Sequence, residues 1–349
     1  MKKIIISTNN QTELSNCSFV KTILMLLVVI YHCILYWNGN WFVGQPVYVS
    51  KVLAVTAQWF NTFHIYGFAL VSGYLFYYLK HEKGRYERFW PFIINKTKRL
   101  LVPYAFISVV WAIPFAIYFY NYSFKEVFIN YALGTSPSQL WFLLMLFWVF
   151  VIFYPLSGFL KNRNFVGVIV VLFLYGLGIL ASTILPNAFQ ILRAFTYLPV
   201  FFVGFKLRQF SSYYLRKIPI MVWVVSDLVL FFLYRLITEM DGIVFSLLKY
   251  AVSFALNIIG ALMAFVVLQR IADRVKWKEN KIFNIITEKS MPIYLFHQQV
   301  IYITIVMFNG SVNPYIHSII NFVVAMIVSI LISLSLMRYK VTRFLIGEK

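Results

Sequence analysis

The sequence contains few charged residues. Asp, Glu, Lys and Arg together make up 12% of its 349 positions, whereas soluble domains average about 25%. Hydrophobic residues make up 61% and aromatic residues 20%, so the lipid bilayer is the solvent that this composition fits. The scarcity of charge excludes a soluble enzyme and a disordered scaffold, and it predicts one helical membrane domain.

Cysteine is scarce too, and the common catalytic signatures are missing. Cys17 and Cys33 show no spaced framework, which excludes a disulfide-stapled secreted domain. We find no P-loop, no glycine-rich dinucleotide fingerprint, no nucleophile elbow and no His-Glu-x-x-His helix. The 5 histidines are scattered among few carboxylates, whereas a metal site needs about three or four convergent ligands. We therefore expect neither a metal nor a permanently bound cofactor.

Long apolar runs dominate what is present. Runs of about 17–25 residues cross a bilayer as helices, and they predict an all-α polytopic membrane protein with about ten transmembrane helices. These spans lie near residues 19–37, 52–79, 101–121, 139–160, 165–185, 190–206, 218–237, 245–269, 290–308 and 315–337. We expect an N-terminal tail at 1–18, a membrane domain at 19–340 and a C-terminal tail at 341–349. The loops are short, so no extra soluble domain is predicted.

The basic residues alternate between the two sides of these spans. Of the 31 Lys and Arg residues, 26 fall on one side and 5 on the other, and such residues remain cytoplasmic. This split predicts that both termini are cytoplasmic in a plasma membrane, and it accounts for much of the net charge of +20. The same loops suit contact with anionic lipids. A nucleic-acid partner is excluded, because no charge-rich segment is long enough to fold as a soluble module.

Lys21 and His32 lie on one face of the first predicted helix. Eleven helical steps of about 100° return to within roughly 20° of the same face while rising about 16 Å. Lys21 can therefore lie at the cytoplasmic surface with His32 near the midplane above it. The pair offers a cation for the phosphates of an anionic donor and a base deeper in the same channel. The alternative is a snorkelling topology anchor and a histidine packed against a neighbouring helix.

Three more ionisable residues lie at membrane depth, where such side chains indicate function. His64 reaches roughly the midplane on the second span, and it either shares a site with His32 or forms a structural hydrogen bond between helices. His297 follows Tyr294 by three residues on the ninth span, so both lie on one face, and binding or orientation is favoured there over proton transfer. Asp227, in the seventh span, is either protonated or paired across helices.

Cations and histidines also occur near the ends of the spans. Lys96, Lys98 and Arg99 are concentrated at the entry to the third span. They suit phosphate groups, or they act only as a positive-inside anchor. His81 and His317 are expected to be wet surface histidines.

Five short motifs, taken in order, resemble those of the acyltransferase-3 family of integral membrane proteins. The first is a basic residue followed, after ten intervening positions, by a histidine, and the second is a Phe-His run that leads to Ser-Gly-Tyr. The others are Arg-Leu-x-x-Pro-Tyr, Leu-Trp-Phe-Leu and Ser-x-x-Ile-Tyr-x-x-His. The matching residues are Lys21 and His32; Phe63, His64, Ser72, Gly73 and Tyr74; Arg99, Leu100, Pro103 and Tyr104; Leu140, Trp141, Phe142 and Leu143; and Ser290, Ile293, Tyr294 and His297. Tyr66 stands where the family carries a proline after the second-helix histidine.

The resemblance implies an acyltransferase that uses an acyl-CoA donor, usually acetyl-CoA, at the cytoplasmic face. The acceptor would be a hydroxyl of a cell-surface polysaccharide or a lipid-linked sugar. His32 would act as general base on that hydroxyl or accept the acyl group briefly, because either role suits an imidazole, the side chain that ordinarily changes charge near neutral pH. The donor-binding residues would be Lys21, Lys96, Lys98 and Arg99.

The resemblance also implies residues on the acceptor side. His64, the second catalytic candidate, and Tyr294 with His297 would orient the acceptor or stabilise the oxyanion. Ser72 and Trp141 complete this set, although a Ser-Gly pair also permits close helix packing. The aromatic side chains expected toward the outer surface, which suit either sugar stacking or an interfacial belt, include Trp37, Trp41 and Trp141.

Two other classes of function remain open for the sequence. A transporter or exporter of a polysaccharide or lipid-linked glycan would use the midplane histidines as proton relays. We find neither an inverted repeat nor a pair of Gly/Pro-broken spans in support of it. A non-catalytic partner of a glycan synthase would leave the cationic cluster and the alignment of Lys21 with His32 unexplained.

Overall fold

The computed structural model describes residues 2–39, 41, 44–120 and 122–348, with side chains from residue 12 onward. The described chain contains helices and no strand, and 83% of it is helical, which confirms the predicted all-α class. The α-helices are α1 (Lys2–Leu35), α2 (Lys51–Asn61), α3 (His64–Tyr77), α4 (Phe89–Lys96), α5 (Val102–Ile107), α6 (Ile113–Tyr120), α7 (Phe124–Ala132), α8 (Trp141–Lys161), α9 (Asn164–Ser182), α10 (Ile191–Phe210), α11 (Ile220–Thr238), α12 (Ile243–Arg274), α13 (Lys281–Glu288), α14 (Ser290–Phe308), α15 (Pro314–Leu336) and α16 (Lys340–Leu345).

Nine helical segments in the described ranges are long and apolar enough to cross a membrane. They correspond to nine of the ten predicted spans. The segment that matches the predicted span 101–121 is longer than predicted. Its π-helical turns at Thr97–Leu101 and Ser108–Ala112 join α4, α5 and α6 into one segment, Phe89–Tyr120. The segment expected as an N-terminal tail is helical from Lys2 onward and continues into the first span.

The remaining predicted span, residues 52–79, is divided into the shorter helices α2 and α3. Between them the N–H groups of Thr62 and Phe63 bond to carbonyls three residues back, at 3.0 and 3.2 Å. Phe63 has φ −136°, outside the helical range. A further π-helical turn, Tyr78–Glu82, follows α3. Both halves are apolar, so hydropathy alone does not reveal the break.

The chain forms two compact units. The first unit comprises Met1–Val28, Thr56–Gly84 and Val200–Thr287, and the second comprises Val29–Val55, Arg85–Pro199 and Glu288–Lys349.

In the first unit, two glycines let α3 and α10 approach closely. A Cβ on Gly73 would lie 2.0 Å from the carbonyl oxygen of Phe201, and one on Gly204 would lie 1.9 Å from that of Leu70. These distances are far below van der Waals contact, so only glycine fits at either position. The Ser-Gly pair predicted to allow close approach therefore serves helix packing at its glycine.

A buried arginine ties α10 to the end of α3. Arg208 donates from Nε and Nη2 to the two carboxylate oxygens of Glu82, both at 2.6 Å, and from Nη1 to the Tyr74 hydroxyl at 3.0 Å. The bidentate geometry satisfies a charge that is costly to bury alone.

In the second unit, α14 and α15 pack side by side. Thr304 of α14 donates its hydroxyl to the side-chain oxygen of Asn321 in α15 at 2.6 Å. The His317 ring of α15 contacts the Thr304 carbonyl at 3.1 Å, so polar groups as well as apolar ones hold this pair of helices together.

Candidate active site

Helix α14 carries polar side chains through the core of the second unit. Pro292 lies in its first turn, where backbone N–H groups have no partner within the helix, and every residue from Pro292 to Tyr302 is buried. Buried polar groups need hydrogen-bond partners, so the contacts of these side chains define the site. The polar residues in this run are Tyr294, His297, Gln298, Gln299 and Tyr302.

Two histidines meet in this unit. Nε2 of His297 lies 3.1 Å from Nδ1 of His32, and the ring centroids are 4.9 Å apart. His297 is fully buried, whereas His32, near the end of α1, is half-buried. Nδ1 of His297 lies 2.8 Å from the carbonyl oxygen of Tyr294 and 3.2 Å from that of Ile293. Both histidines were singled out in the sequence, but their contact was not predicted.

Aromatic rings enclose one side of this histidine pair. The Trp41 ring lies 5.6 Å from the His32 ring and 5.3 Å from the Tyr302 ring, centroid to centroid. The Tyr302 hydroxyl accepts hydrogen bonds from Gln298 and from the Tyr120 hydroxyl, the latter at 3.2 Å. The half-buried imidazole of His32 therefore lies beside the Trp41 ring, which in turn contacts the ring of the hydrogen-bonded Tyr302.

A hydrogen-bond network supports α14 from the other side, and two of its members, Gln139 and Trp111, were not predicted from the sequence. Gln139 donates to the side-chain oxygen of Gln299 at 2.7 Å and to the Leu295 carbonyl at 2.9 Å. The Trp111 indole donates to the same Gln299 oxygen at 3.1 Å. The available signal was a glutamine directly before the Leu-Trp-Phe-Leu motif, because an amide in an apolar run must find a partner.

This arrangement suits proton or acyl transfer. A half-buried imidazole can take a proton or an acyl group, and a fully buried neighbour can orient it. Among the described side chains, no three of His, Cys, Asp or Glu come together in a way that could hold a metal ion.

A family model described as an acyltransferase domain matches residues 17–338, nearly the whole chain. The chain belongs to the acyltransferase-3 family. It is thus a multi-pass membrane acyltransferase, as the motifs predicted. No curated protein and no solved structure gives a significant match.

His64 of this acyltransferase lies in the first unit, at the break between α2 and α3. Its Nδ1 contacts the carbonyl oxygen of Phe60, which also accepts from the Phe63 N–H. The ring thereby satisfies a carbonyl at the end of α2 that has no regular helical partner. This contact gives His64 a local structural role, and the shared site with His32 stays a prediction.

Asp227 has a hydrogen-bond partner on another helix of the first unit. Asp227 is fully buried, and its Oδ2 accepts a hydrogen bond of 2.7 Å from the Trp59 indole. The aspartate is therefore paired across helices, α11 to α2.

The other first-unit candidates are only partly enclosed. Ser72 is half-buried beside the tightly packed Gly73. Lys21 is half-buried on α1, which is helical from Lys2 to Leu35 and so includes His32. Both residues therefore lie on one continuous helix, and their alignment toward a shared channel stays a prediction.

Three side chains of the second unit are more enclosed than predicted. The Tyr294 hydroxyl donates to the carbonyl of Gln139, so this phenol already has an acceptor. Trp37 is fully buried and donates to the Ser318 hydroxyl at 2.8 Å, so its prediction as a stacking surface is wrong. His317 is fully buried as well, so the wet environment predicted for it is wrong.

Trp141 remains partly accessible at the start of α8. The guanidinium of Arg193 lies 4.5 Å from its ring centroid, and the Tyr197 ring lies 6.0 Å away. The role of Trp141 in sugar stacking stays a prediction.

The basic cluster at the entry to the third span divides into two kinds of residue. The Lys96 ammonium lies over aromatic rings, whereas Lys98 and Arg99 are exposed. Lys98 and Arg99 belong to the π-helical turn Thr97–Leu101, and such turns are frequent at functional sites.

A groove of about 650 Å³ opens where the loop before α2 meets the loop before α15. Asn309 connects the two loops. Its side chain accepts a hydrogen bond from the Val47 N–H at 3.1 Å and donates one to the Gln45 carbonyl at 3.0 Å. Exposed Tyr48 and Tyr315 rings line the groove beside hydrophilic groups, a combination that suits a sugar.

Proposed function

We propose that this acyltransferase moves an acyl group, most simply acetyl, from cytoplasmic acyl-CoA to a hydroxyl of a cell-surface or lipid-linked polysaccharide. We place it in the bacterial inner membrane with both termini cytoplasmic, as the distribution of Lys and Arg predicts. The observation that carries the proposal is the 3.1 Å contact between His32 and His297 inside the family-matched region.

His32 is the proposed catalytic residue. It takes the proton of the acceptor hydroxyl, the resulting oxygen nucleophile attacks the thioester carbonyl, the C–S bond breaks, and the CoA thiolate recovers the proton. A brief acyl-His32 intermediate is the alternative route. Either route needs an imidazole that is supported on one side and open to substrate on the other, and half-burial of His32 against the buried His297 supports this requirement.

The donor phosphates are assigned to the basic residues. Exposed Lys98 and Arg99 are placed to contact an anion directly, and the guanidinium offers a bidentate fork for phosphate. Lys96 contributes positive potential from its aromatic surroundings. Lys21 precedes His32 by a rise of about 16 Å on α1, which suits a CoA arm extending from the interface toward the base. CoA is a substrate here and leaves after each turnover.

The acceptor is assigned to the aromatic and hydroxyl-bearing residues. Trp141 offers a partly accessible indole, and the groove beside Tyr48 and Tyr315 offers a further sugar-binding surface. His64 and Ser72 stay proposed contributors to acceptor orientation or the oxyanion. Tyr294 and His297, both buried, are proposed to act through their neighbours.

Turnover of radiolabelled acetyl-CoA by purified protein in nanodiscs, with polysaccharide as acceptor, tests this function. We expect wild-type protein to label the polysaccharide and His32→Gln to lose about 10²–10⁴ in rate at equal membrane abundance. His81→Gln is the matched control, because that ring packs against Tyr77 and Phe205 in the first unit. Normal labelling by His32→Gln would remove the base from the mechanism.

A glycan transporter is the second candidate, and the break between α2 and α3 is the observation that favours it. Discontinuous helices at midplane are typical of transporters, which carry them in corresponding pairs. Movement of a labelled lipid-linked glycan across proteoliposomes without any acyl-CoA would favour this class. Acetyl transfer to the glycan without such movement would exclude it.

A further inference from the structure

The backbone fixes the proton on one nitrogen of His297. Its Nδ1 lies 2.8 and 3.2 Å from the carbonyl oxygens of Tyr294 and Ile293. Carbonyl oxygens only accept hydrogen bonds, so Nδ1 must carry a hydrogen. In a neutral imidazole the other nitrogen, Nε2, then holds a lone pair and can only accept.

The tautomer of His297 also determines which nitrogen of His32 carries a hydrogen. Nε2 of His297 faces Nδ1 of His32 at 3.1 Å, and since the former accepts, the latter must donate. With both rings neutral, His32 is then the Nδ1–H tautomer and its Nε2 is the basic nitrogen. We propose that His297 is a positioning residue that sets this tautomer and makes Nε2 of His32 the reactive atom. This inference rests on the proposed function of His32.

The arrangement makes chemical sense at membrane depth. When Nε2 of His32 takes the proton of the acceptor hydroxyl, the ring becomes a cation that keeps its Nδ1–H bond to His297. A soluble triad uses a carboxylate in the orienting position, but an extra charge inside a membrane is expensive. A second, neutral histidine orients the base without that charge. On transfer to the CoA thiolate the proton leaves Nε2, and both rings return to their starting state.

Aromatic side chains face this pair. The Tyr31 ring lies edge-on to His32 with centroids 4.9 Å apart, and the Tyr294 ring lies 6.1 Å from His297. Both are phenols, and the indole of Trp41, whose ring lies 5.6 Å from that of His32, does not titrate.

Two substitutions at His297 separate orientation from packing. His297→Gln places an amide oxygen near the position of Nε2 and keeps an acceptor for His32. His297→Asn keeps an amide N–H near the position of Nδ1, for the backbone carbonyls, and loses that acceptor. We expect kcat to fall by less than about tenfold in the glutamine variant and by about 10²-fold or more in the asparagine variant, since a wrong tautomer in a catalytic triad costs about 10⁴. The KM for acyl-CoA should stay unchanged in both.

Nitrogen NMR of ¹⁵N-histidine-labelled protein in nanodiscs observes the tautomer directly. The chain has only 5 histidines, and His32→Gln assigns the relevant signal. Above the histidine pKa, at about pH 8.5, we expect His32 and His297 to be Nδ1–H tautomers in the wild type and His32 to be a tautomer mixture in His297→Asn. An Nε2–H tautomer of His32 in the wild type, or an unchanged kcat in His297→Asn, would overturn the inference. If the wild type transfers no acyl group, the proposed function fails, while the NMR result still decides the tautomer.

Discussion

The ammonium group of Lys96 lies 3.7 Å from the centroid of the Phe150 ring. The rings of Phe92 and Tyr86 lie 5.3 and 5.6 Å from the same nitrogen. A cation held over aromatic faces is stabilised by the ring quadrupoles, so Lys96 has a structural use that its exposed neighbours lack. The basic cluster at this span entry thus combines an anchor with cations available to a ligand.

Substitutions at Lys96 and Arg99 should therefore have opposite effects. Lys96→Met keeps the apolar stem and removes the charge, so we expect a loss of about 0.5–2 kcal/mol of stability and a smaller loss of acyl-CoA affinity than Arg99→Ala causes. Arg99→Ala should weaken acyl-CoA binding with little change in stability. Thermal unfolding and acyl-CoA binding in nanodiscs measure the two effects. Equal losses of affinity in both variants would contradict this division.

Glu348 places a negative charge near the proposed donor cations. Burial raises the pKa of its carboxyl group, while Arg99 and Lys289 act in the opposite direction. At neutral pH the ionised carboxylate competes with a ligand phosphate for Arg99. We expect Glu348→Gln to bind acyl-CoA about two- to fivefold more tightly at pH 7, the size of a partly exposed ion-pair effect.

The pH dependence provides the check on this prediction. As pH falls through the raised pKa of Glu348, the wild-type carboxyl becomes neutral and its affinity should approach that of Glu348→Gln. Because the pKa is raised, this convergence begins at a higher pH than for an ordinary glutamate. Glu279→Gln, at an exposed residue paired with Lys276, is the control for a general change in charge. Equal affinities of wild type and Glu348→Gln at pH 7 would refute the competition.

The sequence was sufficient to predict the helical class and most spans, because apolar length and basic flanks are local properties. It did not predict the break at Thr62 and Phe63, where two N–H groups bond three residues back. A position near the end of a span also does not show whether a side chain is buried, as His317 illustrates. His317 is enclosed because its ring meets the Thr304 carbonyl across α14 and α15, and no local pattern contains that contact.

The candidate site was predicted as separate residues and not as an arrangement. His32 and His297 were identified because they are ionisable residues at membrane depth. They are 265 positions apart in the sequence, however, and no periodicity relates them. Gln139 and Trp111 escaped notice because neither titrates. For Lys96 a usable signal did exist, since Phe92 precedes it by one helical turn.

Substitutions at Asp227 should separate structural pairing from catalysis. Asp227→Asn keeps an oxygen that can accept from the Trp59 indole and removes the charge, so we expect a folded protein with normal acetyl transfer. Asp227→Leu leaves the indole N–H of Trp59 without this acceptor, which should cost about 1–3 kcal/mol of stability. The unfolding temperature and the rate of acetyl transfer are measured for both variants. Loss of activity in a stable Asp227→Asn protein would instead indicate a catalytic carboxylate.

The glycine contact between α3 and α10 gives the sharpest test of the packing. A Cβ at Gly73 or Gly204 would meet the carbonyl of Phe201 or Leu70, so the helices must separate to accept alanine. We expect Gly73→Ala and Gly204→Ala each to lose about 1–3 kcal/mol, as overpacking does, and to lower membrane abundance.

Two other helical glycines provide matched controls for this change. A Cβ at Gly158 in α8 or Gly176 in α9 would meet nothing within 4 Å. Alanine there should be neutral or should stabilise by about 0.5–1 kcal/mol, because it removes the conformational freedom of glycine from a helix. Thermal unfolding of the four purified variants in one detergent compares them directly. The close contact is the cause if the unfolding temperature falls in Gly73→Ala and Gly204→Ala but rises or stays unchanged in the two control variants. An equal fall in all four variants would instead indicate that the helices are generally sensitive to substitution.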